Sequence, residues 1–307
     1  MDLEETVHSN DFILMEAAVI ETLRRNKRIS LHPRLEHAML IYDEHGKTIL
    51  SQIYCDFINI SQEANKPICI CTPTWRTNYE RVKETETTKT GKDINQDAVY
   101  FLQSLRENMP DNSSNIFIGG LIGCKNDCYK PDEALSLNEA KDFHSWQISK
   151  LANAGVDYLF AATLPCLSEA EGIALAMKAT GTPYIISFVI DSTGLILDGT
   201  NLDKAFTKID ALTKDAPPLG YMINCSYPSF LKPKNQTEHV LERLIGFQAN
   251  ASSKNHSELD NNTELQVNNI NEWGEQMIAL NKQYGIKILG GCCGTNVKHL
   301  EYIVKAI

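Results

Sequence analysis

Two adjacent cysteines, Cys292 and Cys293, are the residues of this chain best suited to chemistry. They stand in the run Ile-Leu-Gly-Gly-Cys-Cys-Gly-Thr, residues 288–295, where an apolar segment meets three glycines. Neighbouring side chains on an extended strand point to opposite faces, so both thiols can reach one point only where the strand ends and the backbone turns. Glycine permits such a turn because it tolerates backbone angles that other residues avoid. Two thiols at a strand end therefore predict part of a metal site.

A metal site of this kind needs a third ligand, and Cys225 is the best candidate. It also stands where an apolar run, 219–224, gives way to a turn that contains Ser and Pro. Two other interpretations stay open here, because free cysteines often only fill space in a core and neighbouring thiols can form a redox pair. Space filling is the interpretation for the six remaining cysteines, which are Cys55, Cys69, Cys71, Cys124, Cys128 and Cys166.

The composition is ordinary for a globular protein and argues against several classes of function. The chain has 307 residues, 43% of them hydrophobic and 22% charged, with a formal net charge of −10. This acidic balance, without a basic cluster, argues against nucleic-acid binding. No apolar run approaches the roughly 20 residues that a membrane span requires. The acidic N-terminus lacks the features of a signal peptide, and nine cysteines without an export signal predict a reducing, cytoplasmic setting.

Short apolar runs alternate with amphipathic stretches of helix length along the chain. Such alternation is typical of βαβ units with a parallel sheet, and eight units favour closure into a barrel. We therefore predict a single α/β domain over residues 1–307, a (β/α)8 TIM barrel. The predicted strands are 12–17, 67–72, 115–122, 156–162, 183–190, 219–224, 244–249 and 286–289. The predicted helices are 46–64, 93–107, 137–154, 168–180, 202–213, 237–241, 269–284 and 297–306.

Several predicted strands end in small, polar or proline-containing segments. In a (β/α)8 barrel these ends share one face, and active sites are built there. Because Cys225 follows the sixth strand and the Cys292-Cys293 pair follows the eighth, the predicted fold and the predicted metal site support each other. Segment 250–268, rich in Asn and Ser, is predicted to be a long mobile loop above the seventh strand.

The cysteine motifs resemble those of the homocysteine S-methyltransferase family. Gly-Gly-Cys-Cys-Gly-Thr at 290–295 and Asn-Cys at 224–225 carry the resemblance, which covers nearly the whole chain. It implies a (β/α)8 barrel that holds one zinc ion, Zn2+, through three cysteines. It also implies transfer of a methyl group to a thiol from S-methylmethionine, betaine or a methylated folate.

The resemblance assigns roles to individual residues. Cys225, Cys292 and Cys293 would be the zinc ligands and the catalytic centre, and Asn224 and Thr295 would support them. Substrate-binding roles are predicted for residues around the same strand ends. These residues are Glu16, Thr72, Trp75, Thr163, Asn224, Asn250 and Thr295.

Three departures from the family's pattern concern recognition of the amino acid substrate. The family's first strand ends in Asp-Gly, and we align Met15 with that aspartate. Its fourth strand ends in Glu-Thr-Ile/Leu-Pro, and Ala162 replaces that glutamate. Its second strand ends in Thr-Asn-Thr-Tyr, and residues 72–75 read Thr-Pro-Thr-Trp. Since the lost acids help to hold the amino acid in the family, zinc and thiol chemistry are better supported than homocysteine.

Two residues near these departures are candidates for new roles. Glu16 could replace the lost acid at the end of the first strand, although a structural role is an equal alternative. Trp75 could hold a cationic methyl donor through a cation–π contact, and core packing is the competing interpretation.

The function we favour from the sequence is a zinc-dependent S-methyltransferase. Its partners would be a small thiol acceptor, homocysteine or a related thiol, and a methyl donor that the sequence leaves open. Three thiolates around Zn2+ leave one position for an incoming thiol, which loses its proton there and stays nucleophilic at neutral pH.

Two other functions compete with this interpretation. Because the substrate-reading acids are missing, the chain could be a non-catalytic barrel that binds zinc or a thiol. A zinc hydrolase is disfavoured, since hydrolytic zinc usually has His and carboxylate ligands.

Overall fold

Eight parallel strands form a closed barrel in the computed structural model, which describes residues 2–85, 90–254 and 267–307. The strands follow one another around the barrel in chain order, and β1 closes it by pairing with β8. The strands are β1 Ile13–Met15, β2 Ile68–Cys71, β3 Ile116–Ile122, β4 Tyr158–Leu164, β5 Tyr184–Phe188, β6 Gly220–Asn224, β7 Leu244–Ala249 and β8 Ile288–Gly291. All eight predicted strands and the single (β/α)8 domain are confirmed.

Helices connect the strands on the outside of the barrel. The α-helices are α1 Leu3–Ser9, α2 Val19–Arg25, α3 Glu44–Glu63, α4 Tyr79–Lys83, α5 Ile94–Glu107, α6 Leu137–Asn153, α7 Leu167–Lys178, α8 Leu202–Leu212, α9 Glu238–Arg243, α10 Ile270–Tyr284 and α11 Val297–Ala306. Short 3-10 helices span His37–Tyr42, Pro110–Asn115, Pro131–Glu133, Pro228–Leu231 and Pro233–Asn235. All eight predicted helices are present. The sequence analysis missed α1, α2 and α4, which have seven, seven and five residues and are too short for a periodic pattern.

The alternation of side chains along each strand divides the core into two layers. Leu14 packs against the helices outside the sheet, whereas Ile13 and Met15 lie in a second cluster inside the barrel. Cys69 and Cys71 belong to this inner cluster, so the space-filling role predicted for them agrees with their position. Strands that are buried on both faces explain why the sequence showed continuous apolar runs instead of alternation.

None of the helices in the described ranges is both long and apolar enough to cross a membrane. Most of the predicted loop 250–268 lies outside the described residues, since 255–266 are not described. Its two ends meet, because the Asn268 backbone N–H donates to the Ala251 carbonyl at 2.8 Å.

A glycine on α7 allows that helix to approach α6 closely. A Cβ atom at Gly172 would lie 2.6 Å from the Cβ of Ala140 and would also meet the carbonyl oxygen of Leu137. We expect Gly172→Ala to lower the free energy of unfolding by about 1–3 kcal/mol, because the two helix backbones would have to move apart. Urea denaturation measures this change. The control Asp142→Ala, at an exposed position of α6, should stay within about 0.5 kcal/mol of wild type, and equal effects of both variants would contradict the prediction.

Candidate metal centre

Three cysteines meet where β6 and β8 end. Cys225 directly follows β6, and Cys292 and Cys293 directly follow β8, with β7 between the two strands. Their three Sγ atoms lie within 4.8 Å of one another. Sulfurs that share one zinc ion at about 2.3 Å in a tetrahedral site are about 3.8 Å apart, so the donor set fits such an ion. The structure thus brings together all three residues predicted as ligands.

The backbone around the cysteines is held in unusual turns. Cys225 has a φ of 52°, in the left-handed region that residues other than glycine rarely adopt. Its carbonyl accepts a hydrogen bond from the Asn250 side chain at 2.9 Å, and its N–H donates to the Gln248 carbonyl at 3.2 Å. On the other side, the Thr295 hydroxyl donates to the Cys292 carbonyl at 2.6 Å. These contacts fix the directions in which the thiols point.

The sulfurs of Cys225 and Cys292 lie within bonding reach of each other, with the two Cα atoms 5.4 Å apart, and the Cys293 thiol lies beside them. Burial raises the pKa of that thiol to about 11; the Glu21 carboxylate also raises it, and Arg24 opposes the shift. A bound metal ion reverses this tendency, because coordination deprotonates a thiol.

A cavity of about 220 Å³ opens beside the cysteines on the same face of the barrel. All three cysteines line it. Five of the predicted substrate-binding residues also line it, namely Glu16, Thr72, Trp75, Thr163 and Asn224. Asn250 and Thr295 are not part of this lining and contact the backbone of the cysteines instead.

Glu16, and not Met15, presents its side chain to the cavity at the end of β1. Met15 points into the barrel interior and belongs to the inner apolar cluster. Glu16 is 7% exposed, and its carboxylate accepts a hydrogen bond from the Cys71 N–H at 2.7 Å. Burial raises the pKa of Glu16 to about 8, although the bond from Cys71 opposes the shift. The chain thus keeps one carboxyl group at the mouth of β1, and it is largely protonated at neutral pH.

At the end of β4 the cavity wall has no acid. Ala162 lines the cavity, and the next residue, Thr163, has a φ of 59°. The Thr163 N–H donates to the Asn224 side-chain oxygen at 2.9 Å, and that oxygen also accepts from the Ser187 hydroxyl at 2.7 Å. The Asn224 amide nitrogen in turn lies 3.6 Å from the Cys225 sulfur. Asn224 therefore links the strand ends of β4 and β6 and orients the first cysteine.

Trp75 lies in the cavity wall, where its indole N–H and its aromatic ring already contact other residues. Its indole N–H donates to the Thr163 hydroxyl at 2.9 Å. The Arg76 guanidinium lies 3.9 Å from the centroid of the Trp75 ring, and it donates to the Asn126 carbonyl at 2.7 Å. A cationic donor that used Trp75 would have to approach the ring away from Arg76.

The sequence analysis did not assign several of the lining residues to the site, among them Arg24, His37, Cys128 and Tyr129. Cys128 and Tyr129 come from the loop after β3, and Arg24 and His37 come from the connection between β1 and α3. Neither segment matches a strand end, which is the signal that identified the other site residues. Burial and then the charge of Arg24 lower the pKa of His37 to about 3, so its ring is neutral.

His144 on α6 is fully buried and pairs with Glu169 of α7 at 2.9 Å. The Glu169 carboxylate also accepts from the Lys125 N–H at 2.8 Å and from the Leu135 N–H at 3.4 Å. The pair therefore holds the loop after β3, and through it Cys128, against the cavity.

The raised pKa of Glu16 predicts a pH-dependent stability. Between its ordinary value of 4.5 and about 8, folded Glu16 keeps a proton that the unfolded chain releases. The contribution of Glu16 to the free energy of unfolding is therefore highest below pH 4.5, and it falls as the pH rises towards 8. In the metal-free protein, Glu16→Gln should remove this decline, so its stability relative to wild type should increase with pH.

Urea titrations at several pH values measure this difference. Glu63→Gln, at an exposed position of α3, is the control and should run parallel to wild type. If Glu16→Gln also runs parallel to wild type, the carboxyl group is not held in the protonated form.

Comparison with known proteins agrees with this geometry. The family model for homocysteine S-methyltransferase matches residues 13–307. Homocysteine S-methyltransferase 2 of Saccharomyces cerevisiae is 25% identical over 286 residues, which are 85% of this chain and 81% of the relative. Homocysteine S-methyltransferase YbgG of Bacillus subtilis is 27% identical over 184 residues, which are 57% of this chain. That match spans about half, 54%, of the relative's length.

A solved structure gives the same fold. The metallated form of the homocysteine methyltransferase MmuM from Escherichia coli aligns with a TM-score of 0.73 at 18% identity, and the alignment covers 99% of both chains. The fold, the family model and the three converging cysteines agree with one another. The chain belongs to the homocysteine S-methyltransferase family.

Proposed function

We propose that this protein is a zinc-dependent S-methyltransferase. It would move a methyl group from a sulfonium, quaternary ammonium or other methyl donor to a thiol, homocysteine or a related one. The observation that carries the proposal is the set of three cysteine sulfurs within 4.8 Å of one another beside a cavity. Zinc is the metal we propose, because a tetrahedral, sulfur-rich site is typical of zinc and its fourth position suits a thiol.

Some of the site residues would bind the metal ion, and others would hold the turns that carry these ligands. When bound, zinc would hold the acceptor sulfur as a thiolate at neutral pH. Cys225, Cys292 and Cys293 would hold the ion, and the side chains of Asn250 and Thr295 would keep the two turns in place.

The side chains that line the cavity would exclude water and would contact the acceptor during methyl transfer. Apolar walls, among them Leu121 and Phe160, would exclude water from the attacking sulfur. Glu16 and Thr72 would provide polar contacts for the acceptor, since both line the cavity.

Charge decides which thiol the cavity accepts. Among the described lining residues, the acids are Glu16 and Glu21. Glu21 already pairs with Arg25 at 2.8 Å and accepts from the Gly294 N–H. Glu16 is neutral below about pH 8, and Ala162 offers no charge. An α-ammonium group would find in this cavity no ionised carboxylate that is free of another cation, which is unfavourable in a buried site. We propose that the preferred acceptor lacks this group.

The chemistry of the site also indicates the cellular compartment in which the protein would work. Because Cys225 and Cys292 bind a metal only when reduced, we propose that the protein works in a reducing compartment, the cytoplasm. Its partners would be two small molecules, the thiol acceptor and the methyl donor.

Metal analysis tests the zinc centre. After reduction and incubation with zinc, wild type should hold about one ion per chain, and Cys225→Ala and Cys292→Ala should hold close to none, because two sulfurs rarely suffice for a stable site. Cys55→Ala is the matched control, since Cys55 lies on α3 away from the cluster and should keep the wild-type content. Equal zinc in all four proteins would remove the metal site.

Product analysis tests the reaction. The reduced, zinc-loaded protein is incubated with S-methylmethionine or betaine and a panel of thiols, and methylated thiols are measured by mass spectrometry. Product that depends on Cys292 supports the methyltransferase. Zinc binding without product from any pair would favour the non-catalytic barrel that binds zinc or a thiol.

Acceptor kinetics test the role of charge. Homocysteine and 4-mercaptobutanoate differ only in the α-amino group, so their kcat/KM values compare its recognition directly. Wild type should favour 4-mercaptobutanoate, and Ala162→Glu should shift the ratio towards homocysteine by about tenfold or more, because it supplies an ionic partner. Ala162→Gln, of similar size and without charge, is the control. A wild type that strongly prefers homocysteine, with no shift in Ala162→Glu, would contradict this account.

A further inference from the structure

The connection between β1 and α3 adds a charged wall to the cavity. It contributes Arg24, the last but one residue of α2, and His37, the first residue of a 3-10 helix. Within the described part of the lining, Arg24 is the one lysine or arginine side chain. This segment carries none of the motifs by which the cysteine site was identified, so its role needs a separate argument.

Arg24 is placed to act on a ligand at the metal centre. Its side chain lines the same cavity as His37 and the three cysteines, so its charge faces the space in which a ligand would bind. Its Nη2 atom pairs with Glu36 at 3.0 Å, and the side chain is half exposed at 50%. That pairing engages one nitrogen atom of the guanidinium. Because the group carries five N–H donors in a planar fork, it can hold Glu36 and a second carboxylate together.

His37 gives the second, independent observation. It is 4% exposed, and its Nδ1 atom has no hydrogen-bond partner among the described residues. Buried polar groups in native structures nearly always have a partner, so a ring that lines the cavity and has an unpaired nitrogen is suited to contact a ligand there. The neutral ring carries one N–H, which can donate to an oxygen atom.

We infer that Arg24 and His37 form the subsite that holds a carboxylate of the acceptor, so that the substrate class is a short thiol carrying a carboxylate. The inference rests on the proposed function, in which the thiol binds at the cysteine centre. Charges in the cavity agree with it: Glu21 is paired with Arg25, and Glu16 carries a proton, so neither repels an anion next to Arg24. The carboxylate would accept from the guanidinium and from the imidazole N–H.

Thiol binding can be measured without methyl transfer. Reduced protein loaded with Co2+ in place of zinc is titrated with 4-mercaptobutanoate and with 4-mercaptobutan-1-ol, and the visible cobalt bands report sulfur binding. Wild type should bind the carboxylate about tenfold or more tightly than the alcohol, since bonds between charged groups are the strong ones. Arg24→Gln should abolish this preference by weakening the carboxylate while leaving the alcohol unchanged. His37→Phe should reduce the preference in the same way.

Matched variants separate recognition from structure. Arg34→Gln is the control, because Arg34 lies in the same connection, pairs with Glu84 and does not line the cavity; it should behave as wild type. Arg24→Lys keeps the charge and should retain part of the preference. Equal affinity of wild type for the two thiols, or equal weakening of both by Arg24→Gln, would overturn the subsite.

The same titration distinguishes this inference from the proposed function. If the carboxylate preference is present but no donor yields methylated thiol, the subsite stands and the methyltransferase fails. If methyl transfer occurs with equal affinity for the two thiols, the methyltransferase stands and the subsite fails.

Discussion

Closure of the parallel barrel is the constraint on which the rest of this structure depends. It places the ends of β6 and β8 on one face with a single strand between them, so cysteines that are 67 residues apart in the chain come within bonding reach. The turn at Cys225 is left-handed, a conformation that persists only when its surroundings hold it. Gln248 of β7 and Asn250, which follows that strand, support the turn through hydrogen bonds to the Cys225 backbone, and Asn224 ties the preceding residue to the end of β4. The cysteine cluster therefore depends on the fold as a whole.

The electrostatics of the cavity follow from what surrounds these sulfurs. Three thiolates with one divalent ion carry a net charge of −1, and a bound acceptor thiolate makes it −2. A second negative charge nearby would be unfavourable, which agrees with a Glu16 carboxyl that burial keeps protonated. Arg24 is the cation of the described lining, and it can balance an anionic substrate group. A cavity that binds the α-ammonium group of an amino acid would hold it between two ionised carboxylates. This cavity differs from such a site in its charge more than in its shape.

Local sequence signals predicted the fold and the three cysteines that meet, whereas contacts between distant segments decided the rest of the site. Apolar runs at regular intervals identified every strand, and Cys292-Cys293 among glycines identified the site. At β1, Met15 faces the barrel interior and Glu16 lines the cavity, so the side chain that the sequence analysis offered in place of the lost acid does reach the site. Arg24 and His37 could not be predicted, because no pattern reveals that their connection folds over the barrel mouth.

X-ray absorption at the zinc edge tests the central claim most directly, since it counts the sulfur atoms around the metal. The account predicts three sulfur ligands at about 2.3 Å in the reduced, zinc-loaded protein and four after a thiol acceptor is added. It also predicts that Cys293→Ala removes one sulfur from both spectra. A zinc ion surrounded mainly by nitrogen and oxygen, or an unchanged sulfur count on addition of the thiol, would contradict the assignment of these three cysteines as a thiol-activating centre.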